Sequence, residues 1–179
     1  RYNNLGNTSH RSVYQLIDSY TLFYYMYIKV NKHRDRHFWS KNLGTPQHNT
    51  WCGLAFERVC LLHIDQIKRA LSIAGIMSSE FSWRSQKTES RGAQIDLLID
   101  RSDDVIDVCE MKYYAEEYAF NQDEYSKLQN RMLRLAEETK TRKAVQAILI
   151  TTYGLKQNEY SDIVQSVVTM NDLFLDQMK

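Results

Sequence analysis

The most unusual charges in the sequence follow an apolar run. Residues 105–109 are mostly apolar and have the pattern of a buried strand, yet Glu110 and Lys112 come directly after them. Because side chains on a strand alternate with a period of two, Glu110 and Lys112 point to the same face, roughly 6–7 Å apart along the strand. The pair is therefore either an ion pair at a sheet edge or half of a metal-dependent catalytic site.

A second acid stands on the strand that comes before. Residues 94–101 alternate between apolar and polar side chains, and the polar residues 101–104 predict a tight hairpin into the next strand. Pairing across this hairpin brings Asp96 near Glu110. We expect one face of the first strand to carry Ile95, Leu97 and Ile99, and the other face to carry Gln94, Asp96, Leu98 and Asp100.

A third acid lies on a helix that we expect over residues 50–74, capped by Thr50. Leu54 and Leu61 belong to the apolar row of this helix, and Glu57 lies between them. An unpaired charge buried in such a row is costly. Glu57 therefore either sits at the rim of the row or has a partner nearby.

These residue types suit one kind of chemistry. The carboxylates of Asp96 and Glu110, on adjacent strands, match the oxygen ligands that a hard cation such as Mg²⁺ or Mn²⁺ prefers. Such a cation polarises a phosphoryl oxygen and lowers the pKa of a bound water. Lys112 could orient that water or stabilise developing negative charge, and Glu57 could join through a water or a second metal. The hypothesis is metal-dependent phosphodiester hydrolysis.

Other polar side chains could bind a substrate beside these acids. Gln94 shares the predicted face of the first acid and could line a cleft. On a helix predicted over residues 122–140, Lys127, Arg131 and Arg134 recur at helical spacing. That spacing indicates either contacts to phosphates or an ordinary solvated helix face.

Aromatic and sulfur-containing side chains have simpler interpretations. Tyr113 and Tyr114 could stack on bases, but we favour a role in capping the end of the sheet. The three cysteines contain no CxxC pair, which is typical of a reduced protein, and we expect them to be small buried hydrophobic residues. They are Cys52, Cys60 and Cys109.

The remaining pattern predicts the order of the elements. A helix over residues 12–30 has a wide aromatic stripe, whose packing partner we expect in an absent upstream region. The polar residues 31–50, with Gly44 and Pro46, are interpreted as a linker. The strands are expected over 76–84, 94–101, 104–112, 143–154 and 162–170, with a short closing helix over 171–179. The order α-β-β-β-α-β predicts an α/β fold with a mixed sheet flanked by helices and an N-terminal helical extension.

Composition bounds the function classes. With 43% hydrophobic and 25% charged residues and 1 Pro, the chain of 179 residues is globular rather than disordered.

We expect a helical extension and linker over 1–49 and one catalytic domain over 50–179. Residues 1–50 carry a net charge of +5 and residues 51–179 carry −4. No stretch is apolar enough to span a bilayer, and we expect no membrane contact. The cysteine pattern is typical of a reducing compartment, so we expect a cytoplasmic protein. The start at Arg1 rather than Met suggests a piece of a longer protein.

Over about residues 50–152 the chain resembles the PD-(D/E)xK nuclease superfamily. The matching residues are Asp96 for the first acid, Glu110-Met111-Lys112 for the ExK, and Glu57 for the helical Glu that many members carry. The resemblance implies a restriction-endonuclease-like core, catalytic roles for these acids and Lys112, and metal binding at Asp96, Glu110 and Met111. No Pro precedes Asp96, and many members lack it as well.

More closely, the chain is similar to the C-terminal domain of bacterial ATP-binding proteins of the archaeal-type ATPase group. The segments that carry this likeness are "WCGLAFERVC", "GAQIDLLIDR", "CEMKYY" and "ITTYGLKQNEYS". It implies DNA as the substrate, and a P-loop AAA-type domain and a winged helix upstream in the parent protein. The 179 residues of the chain contain no G-x-x-x-x-G-K-[ST] motif, so this chain cannot itself bind ATP by a P-loop.

The resemblance also leaves an alternative. Domains of this group can be degenerate, and a nuclease fold can serve as an inactive module that binds nucleic acid or a partner and regulates the ATPase. The net charge of −4 over residues 51–179 favours this alternative slightly, because strong DNA binders are usually basic. The oligomeric state stays open.

Overall fold

The sheet contains strands from almost the whole length of the chain. The computed structural model describes residues 3–4, 16, 18–32, 35–85 and 93–175. Parts of the predicted first and last helices, residues 12–15, 17 and 176–179, lie outside these described residues. The strands are β1 Asn3–Asn4, β2 Ser78–Arg84, β3 Gln94–Arg101, β4 Val105–Lys112, β5 Ala144–Thr151 and β6 Val164–Thr169.

The strand order in the sheet follows the chain, from β1 to β6. The β2–β3 and β3–β4 pairs are antiparallel, whereas β1–β2, β4–β5 and β5–β6 are parallel. The sheet is therefore mixed, as predicted. The β3–β4 hairpin across residues 101–104 is also confirmed.

Helices cover both faces of the sheet. They are α1 Ser19–Phe23, continued by a π-helical turn Tyr24–Ile28, α2 Phe38–Asn42, α3 Pro46–Leu62, α4 Ile64–Ala70 and α5 Gln122–Thr139, with 3₁₀ turns Ser161–Ile163 and Asn171–Leu173. The predicted order α-β-β-β-α-β is confirmed as α3, β2, β3, β4, α5 and β5, and the helical extension precedes it. Across the part of the chain that the structure describes, no helix combines the length and apolarity that crossing a bilayer requires.

Two apolar clusters lie on opposite faces of the sheet. The α3 side buries side chains of α3, α4 and the strands, including Phe56, Cys60, Ile67, Leu97, Ile99, Cys109, Met111, Ile148 and Ile150. The α5 side buries Trp83, Ile95, Leu98, Ile106, Val108, Tyr118, Leu128, Leu135 and Leu149. Central strands are covered on both faces, which explains why β4 and β5 are nearly continuous apolar runs.

The predicted helix over residues 50–74 differs from the structure at both ends. α3 begins at Pro46, where Thr45 Oγ1 accepts a hydrogen bond from the backbone N–H of His48 at 3.3 Å. Pro suits the first helical position because that N–H has no partner within the helix. The helix is interrupted at His63 before α4 starts. Residues 31–50 are therefore not a linker, since they contain α2 and the first turn of α3.

The buried row of α3 also differs from the predicted one. Cys52, Phe56 and Cys60 are buried at spacings of four residues, whereas Leu54 is exposed. Leu61 and Ile64 of the predicted row do pack against the same cluster, so the prediction found the edge of the buried face and missed its centre. All three cysteines are buried and free, as predicted.

An aromatic cluster joins the N-terminal helices to α3. Trp39 lies between Phe23, Tyr27 and Trp51, at ring-centroid distances of 5.1, 4.8 and 5.6 Å. Tyr27 is only 2% exposed. The aromatic stripe of the first helix thus packs within the chain, and the expectation of an absent upstream partner is wrong for Phe23 and Tyr27.

We predict that Tyr27→Ala destabilises the fold by roughly 3–5 kcal/mol, the usual cost of removing a buried aromatic ring. Urea denaturation followed by tryptophan fluorescence measures the change. The matched control is Tyr20→Ala, because Tyr20 is 69% exposed on the same helical segment, and it should change stability by less than about 0.5 kcal/mol. Equal effects of the two substitutions would contradict the packing of this cluster.

Candidate functional site

Glu110 lies at the end of β4, where the apolar face of the strand becomes charged. Ile106 and Val108, four and two residues earlier, pack in the cluster on the α5 side. Alternation along the strand therefore points Glu110 toward α5. The residue is 9% exposed, which is rare for a carboxylate and requires compensating partners.

Two cations supply that compensation. Lys112 Nζ lies 3.0 Å from Glu110 Oε1, and Arg131 Nη1 lies 2.8 Å from Glu110 Oε2. Each carboxylate oxygen thus has its own positively charged partner. The spacing of Glu110 and Lys112 was visible in the sequence, but the contact with Arg131 depends on how α5 packs.

The position of Arg131 follows from the amphipathic pattern of α5. Asn121 caps the helix, its Oδ1 accepting from the backbone N–H of Glu124 at 2.9 Å. Leu128 and Leu135 are completely buried against the sheet. Arg131 is one turn from each of them, so its side chain also faces the sheet.

The structure separates Arg131 from Lys127, the other predicted phosphate contact on this helix. Lys127 is exposed and pairs with Asp123 one turn earlier along α5. Arg131 instead contacts Glu110 and is mostly covered. The regular spacing of these two cations therefore does not place them in one substrate-binding row.

A β-bulge positions Asp96. Phe81 pairs with Leu98 and Trp83 pairs with Ile95, so a single β2 residue opposes both Asp96 and Leu97. Ile95 and Leu98 consequently pack on the same α5 side.

The predicted faces of β3 are therefore wrong at this point. Leu97 packs on the α3 side and Ile95 does not share its face. Asp96 is adjacent to Leu97 at this bulge, and Gln94 Nε2 donates to Asp96 Oδ1 at 2.6 Å. Asp96 and Glu110 stand on neighbouring strands, as predicted, one residue beyond the paired residues Leu97 and Cys109.

Glu57 lies on α3 within electrostatic reach of both acids. Partial burial raises the pKa of Glu57, and the carboxylates of Asp96 and Glu110 raise it further. The cations Arg58 and Lys112 act in the opposite direction. The charges that act on Glu57 thus include Asp96, Glu110 and Lys112, and the grouping of these residues as one site stays a prediction.

Met111 contributes to the core rather than to this charged group. Its side chain lies in the apolar cluster on the α3 side. A thioether is also a soft ligand that suits Mg²⁺ poorly. Any contribution of Met111 to a cation therefore falls to its main-chain carbonyl oxygen.

The donor set suits a hard cation in its chemistry, because carboxylate oxygens are the ligands that Mg²⁺ prefers. Among residues 16–85 and 93–175, as far as the structure describes them, no group of three or more His, Cys, Asp or Glu side chains is arranged to hold a metal ion. A magnesium site in proteins commonly takes one or two carboxylates together with waters and substrate phosphates.

Two buried polar residues beside the site were missed in the sequence. Burial raises the pKa of the Tyr118 phenol, and the nearby Glu124 and Glu110 carboxylates act in the same direction. Thr151 pairs in register with Lys112 and is fully buried, and its Oγ1 has no hydrogen-bond partner within the described part of the chain. Neither residue has a spacing signal, because Thr151 ends an apolar strand and Tyr118 lies in the connection between β4 and α5.

Comparison with known proteins identifies no family. No protein-family model matches the chain, and no curated protein matches it significantly. A similar solved structure is the crystal structure of the protein of unknown function AF1548, with 15% identity and a TM-score of 0.43. The match covers 64% of this chain and 64% of that chain, which is less than two thirds of either.

We predict that Arg131→Met destabilises the protein by about 1–3 kcal/mol, because it leaves a covered carboxylate oxygen of Glu110 without its cation. Thermal and urea denaturation measure the change. Lys127→Met is the matched control on the same helix, since the Lys127–Asp123 pair is exposed and should contribute less than about 0.5 kcal/mol. Similar stability of the two variants would show that the Arg131 contact does not support Glu110.

We also predict a pH-dependent effect of Glu57→Gln. Because the folded-state pKa of Glu57 is raised, the folded chain holds this proton more tightly than the unfolded chain. The free energy of unfolding therefore falls as pH rises from the ordinary value of 4.5 through the raised pKa.

Glu57→Gln removes this pH-dependent loss of stability. The variant should therefore be more stable than the parent at neutral pH and equal to it at pH values well below 4.5. Urea titrations across this range measure the difference. The exposed Glu137 on α5 offers the control substitution Glu137→Gln, which should follow the parent at every pH. A parallel shift of both variants would contradict the assignment to Glu57.

Proposed function

We propose that the chain is a Mg²⁺- or Mn²⁺-dependent nuclease domain that hydrolyses phosphodiester bonds in DNA. The observation that carries this proposal is the Glu110 carboxylate, covered at the end of β4 and flanked by Lys112 and Arg131. A covered acid with two cations is expected where a substrate or cation is handled, although structural ion pairs also occur.

Each residue at the site has a proposed role. Asp96 and Glu110 would hold the cation through carboxylate oxygens, with the main-chain carbonyl of Met111 as a further ligand. When bound, the cation would supply Lewis-acid polarisation of the scissile phosphate and a more acidic water. Glu57, whose pKa is already raised, would accept a proton more readily than an ordinary glutamate.

Lys112 is the residue proposed to act on the reacting atoms. Its side chain is about one third exposed while its ammonium group contacts Glu110, so a phosphate can approach it from solvent. An ammonium at this point would orient a water by hydrogen bonding and stabilise negative charge that develops on the phosphate. Gln94 would hold Asp96 in place through its hydrogen bond of 2.6 Å.

The wider setting of this activity is also a proposal. The resemblance of the sequence to archaeal-type ATPases supports a parent protein with an upstream P-loop ATPase and winged-helix region, located in the cytoplasm. On this proposal the nuclease domain acts on DNA that the upstream region delivers, and Lys127 is a peripheral contact to the DNA backbone.

A second candidate function is an inactive nuclease-fold module that binds nucleic acid or a partner and regulates the ATPase. One observation favours it, namely that both carboxylate oxygens of Glu110 are engaged by cations.

The test of the nuclease proposal is Lys112→Ala. This change should lower Mg²⁺-dependent cleavage of plasmid DNA at least about 100-fold, because it removes the group that orients the water. Lys143→Ala is a matched control, since Lys143 pairs with Asp100 at 2.7 Å beside the start of β5, at the opposite end of the sheet. Circular dichroism and thermal unfolding establish that both variants are folded.

Metal binding separates the two candidate functions. For a nuclease, Mn²⁺ titration by calorimetry should give binding that Asp96→Asn abolishes. Cleavage retained in folded Lys112→Ala rejects the catalytic role of Lys112. A parent chain that binds DNA but neither binds Mn²⁺ nor cleaves supports the inactive module.

A further inference from the structure

Three tyrosines are exposed where β4 and β5 end. Tyr113 and Tyr114 follow β4 directly, and Tyr153 comes two residues after β5. Their exposed fractions are 39%, 53% and 62%. The interpretation that Tyr113 and Tyr114 only cap the sheet therefore leaves much of their surface unexplained.

Two of these rings pack on one side against other aromatic rings. The Tyr113 ring packs against Phe56 of α3 at a centroid distance of 6.3 Å, and the Tyr114 ring packs edge-on against Tyr118 at 5.9 Å. The backbone N–H of Tyr114 donates to Thr152 Oγ1 at 3.1 Å, which ties the two strand ends together. A ring that is supported on one side and open on the other loses little freedom when a flat ligand stacks on it.

Burial raises the pKa of the Tyr113 phenol, and the nearby Cys52 thiol and Tyr153 phenol raise it further. Tyr113 packs on the α3 side of the sheet and Tyr114 on the α5 side, so exposed rings flank the strand ends on both faces. We call Tyr113, Tyr114 and Tyr153 the tyrosine surface.

The tyrosine surface adjoins the proposed catalytic lysine. Tyr113 is the residue after Lys112, and Lys112 pairs in register with Thr151, two residues before Tyr153. Neighbouring strands lie about 4.8 Å apart and each residue advances about 3.3 Å, so a phosphate at Lys112 has its bases within reach of these rings.

We propose that the tyrosine surface stacks on unpaired bases and makes single-stranded DNA, or a single-stranded end of a duplex, the substrate class of this site. This inference rests on the proposed function, since it assigns the bases that flank the phosphate at Lys112. Aromatic side chains can stack on a base only where the base is not already stacked within a duplex, which excludes intact double-stranded DNA.

Charge near the tyrosine surface favours stacking over phosphate attraction as the source of affinity. Lys112 precedes Tyr113 and the exposed Lys156 follows Tyr153, but the exposed acids Glu116 and Glu117 follow Tyr114 as closely and offset these cations. A surface that neutralises few phosphates releases few counterions. Binding to a single strand should therefore weaken only slightly as salt rises.

The experiment measures fluorescence anisotropy of a labelled oligothymidylate and of a blunt duplex, with the full chain and Ca²⁺ in place of Mg²⁺ to prevent cleavage. Tyr153→Leu should weaken binding of the single strand roughly 5- to 100-fold, whereas Tyr153→Phe, which keeps the ring, should bind like the parent. Tyr20→Leu is the control, because Tyr20 is similarly exposed but lies on α1.

Each outcome decides the inference. Three results together support the inference: the parent prefers the single strand, Tyr153→Leu loses that preference, and Tyr153→Phe keeps it. Equal binding by the parent and Tyr153→Leu overturns it, as does tighter binding of the blunt duplex. Tyr114→Leu provides a second exposed position if Tyr153→Leu is unstable. Failure of the proposed function is a different result, namely cleavage that Lys112→Ala leaves unchanged.

Discussion

The burial of the Glu110 carboxylate is the constraint on which the end of this sheet depends. A charge removed from water is tolerated only with close, well-oriented partners, and Glu110 has one on each oxygen. Lys112 comes from the same strand, but Arg131 comes from α5. The contact therefore fixes the helix against β4, and the buried Leu128 and Leu135 on either side of Arg131 reinforce that position.

The other two acids stand on β3 and α3. Asp96 lies at the β-bulge of β3, and its carboxylate acts electrostatically on Glu57 of α3. The raised pKa of Glu57 reflects first its partial burial and then the nearby carboxylates of Asp96 and Glu110. Such a site lowers stability at neutral pH, a cost that is commonly retained where a charged ligand binds.

The aromatic cluster joins the N-terminal helices to α3 and so helps to set the position of that helix. Trp51 on α3 packs with Trp39 and, through it, with Tyr27. One turn further along α3, the ring of Phe56 supports Tyr113 at the end of β4. The position of α3 therefore depends on residues before it in the chain and affects both Glu57 and the tyrosine surface.

The sequence by itself determined the α/β class, the order of the elements, the β3–β4 hairpin and the burial of the cysteines, because periodicity and turn residues are local properties. It also predicted that Glu57, Asp96, Glu110 and Lys112 form one site. Only the tertiary structure decided that Arg131 contacts Glu110, that a bulge interrupts β3 at Asp96, and that Cys52 and Phe56 are buried residues of α3. Helix packing and a one-residue bulge set these contacts, and neither leaves a local pattern in the sequence, since each depends on residues far apart along the chain.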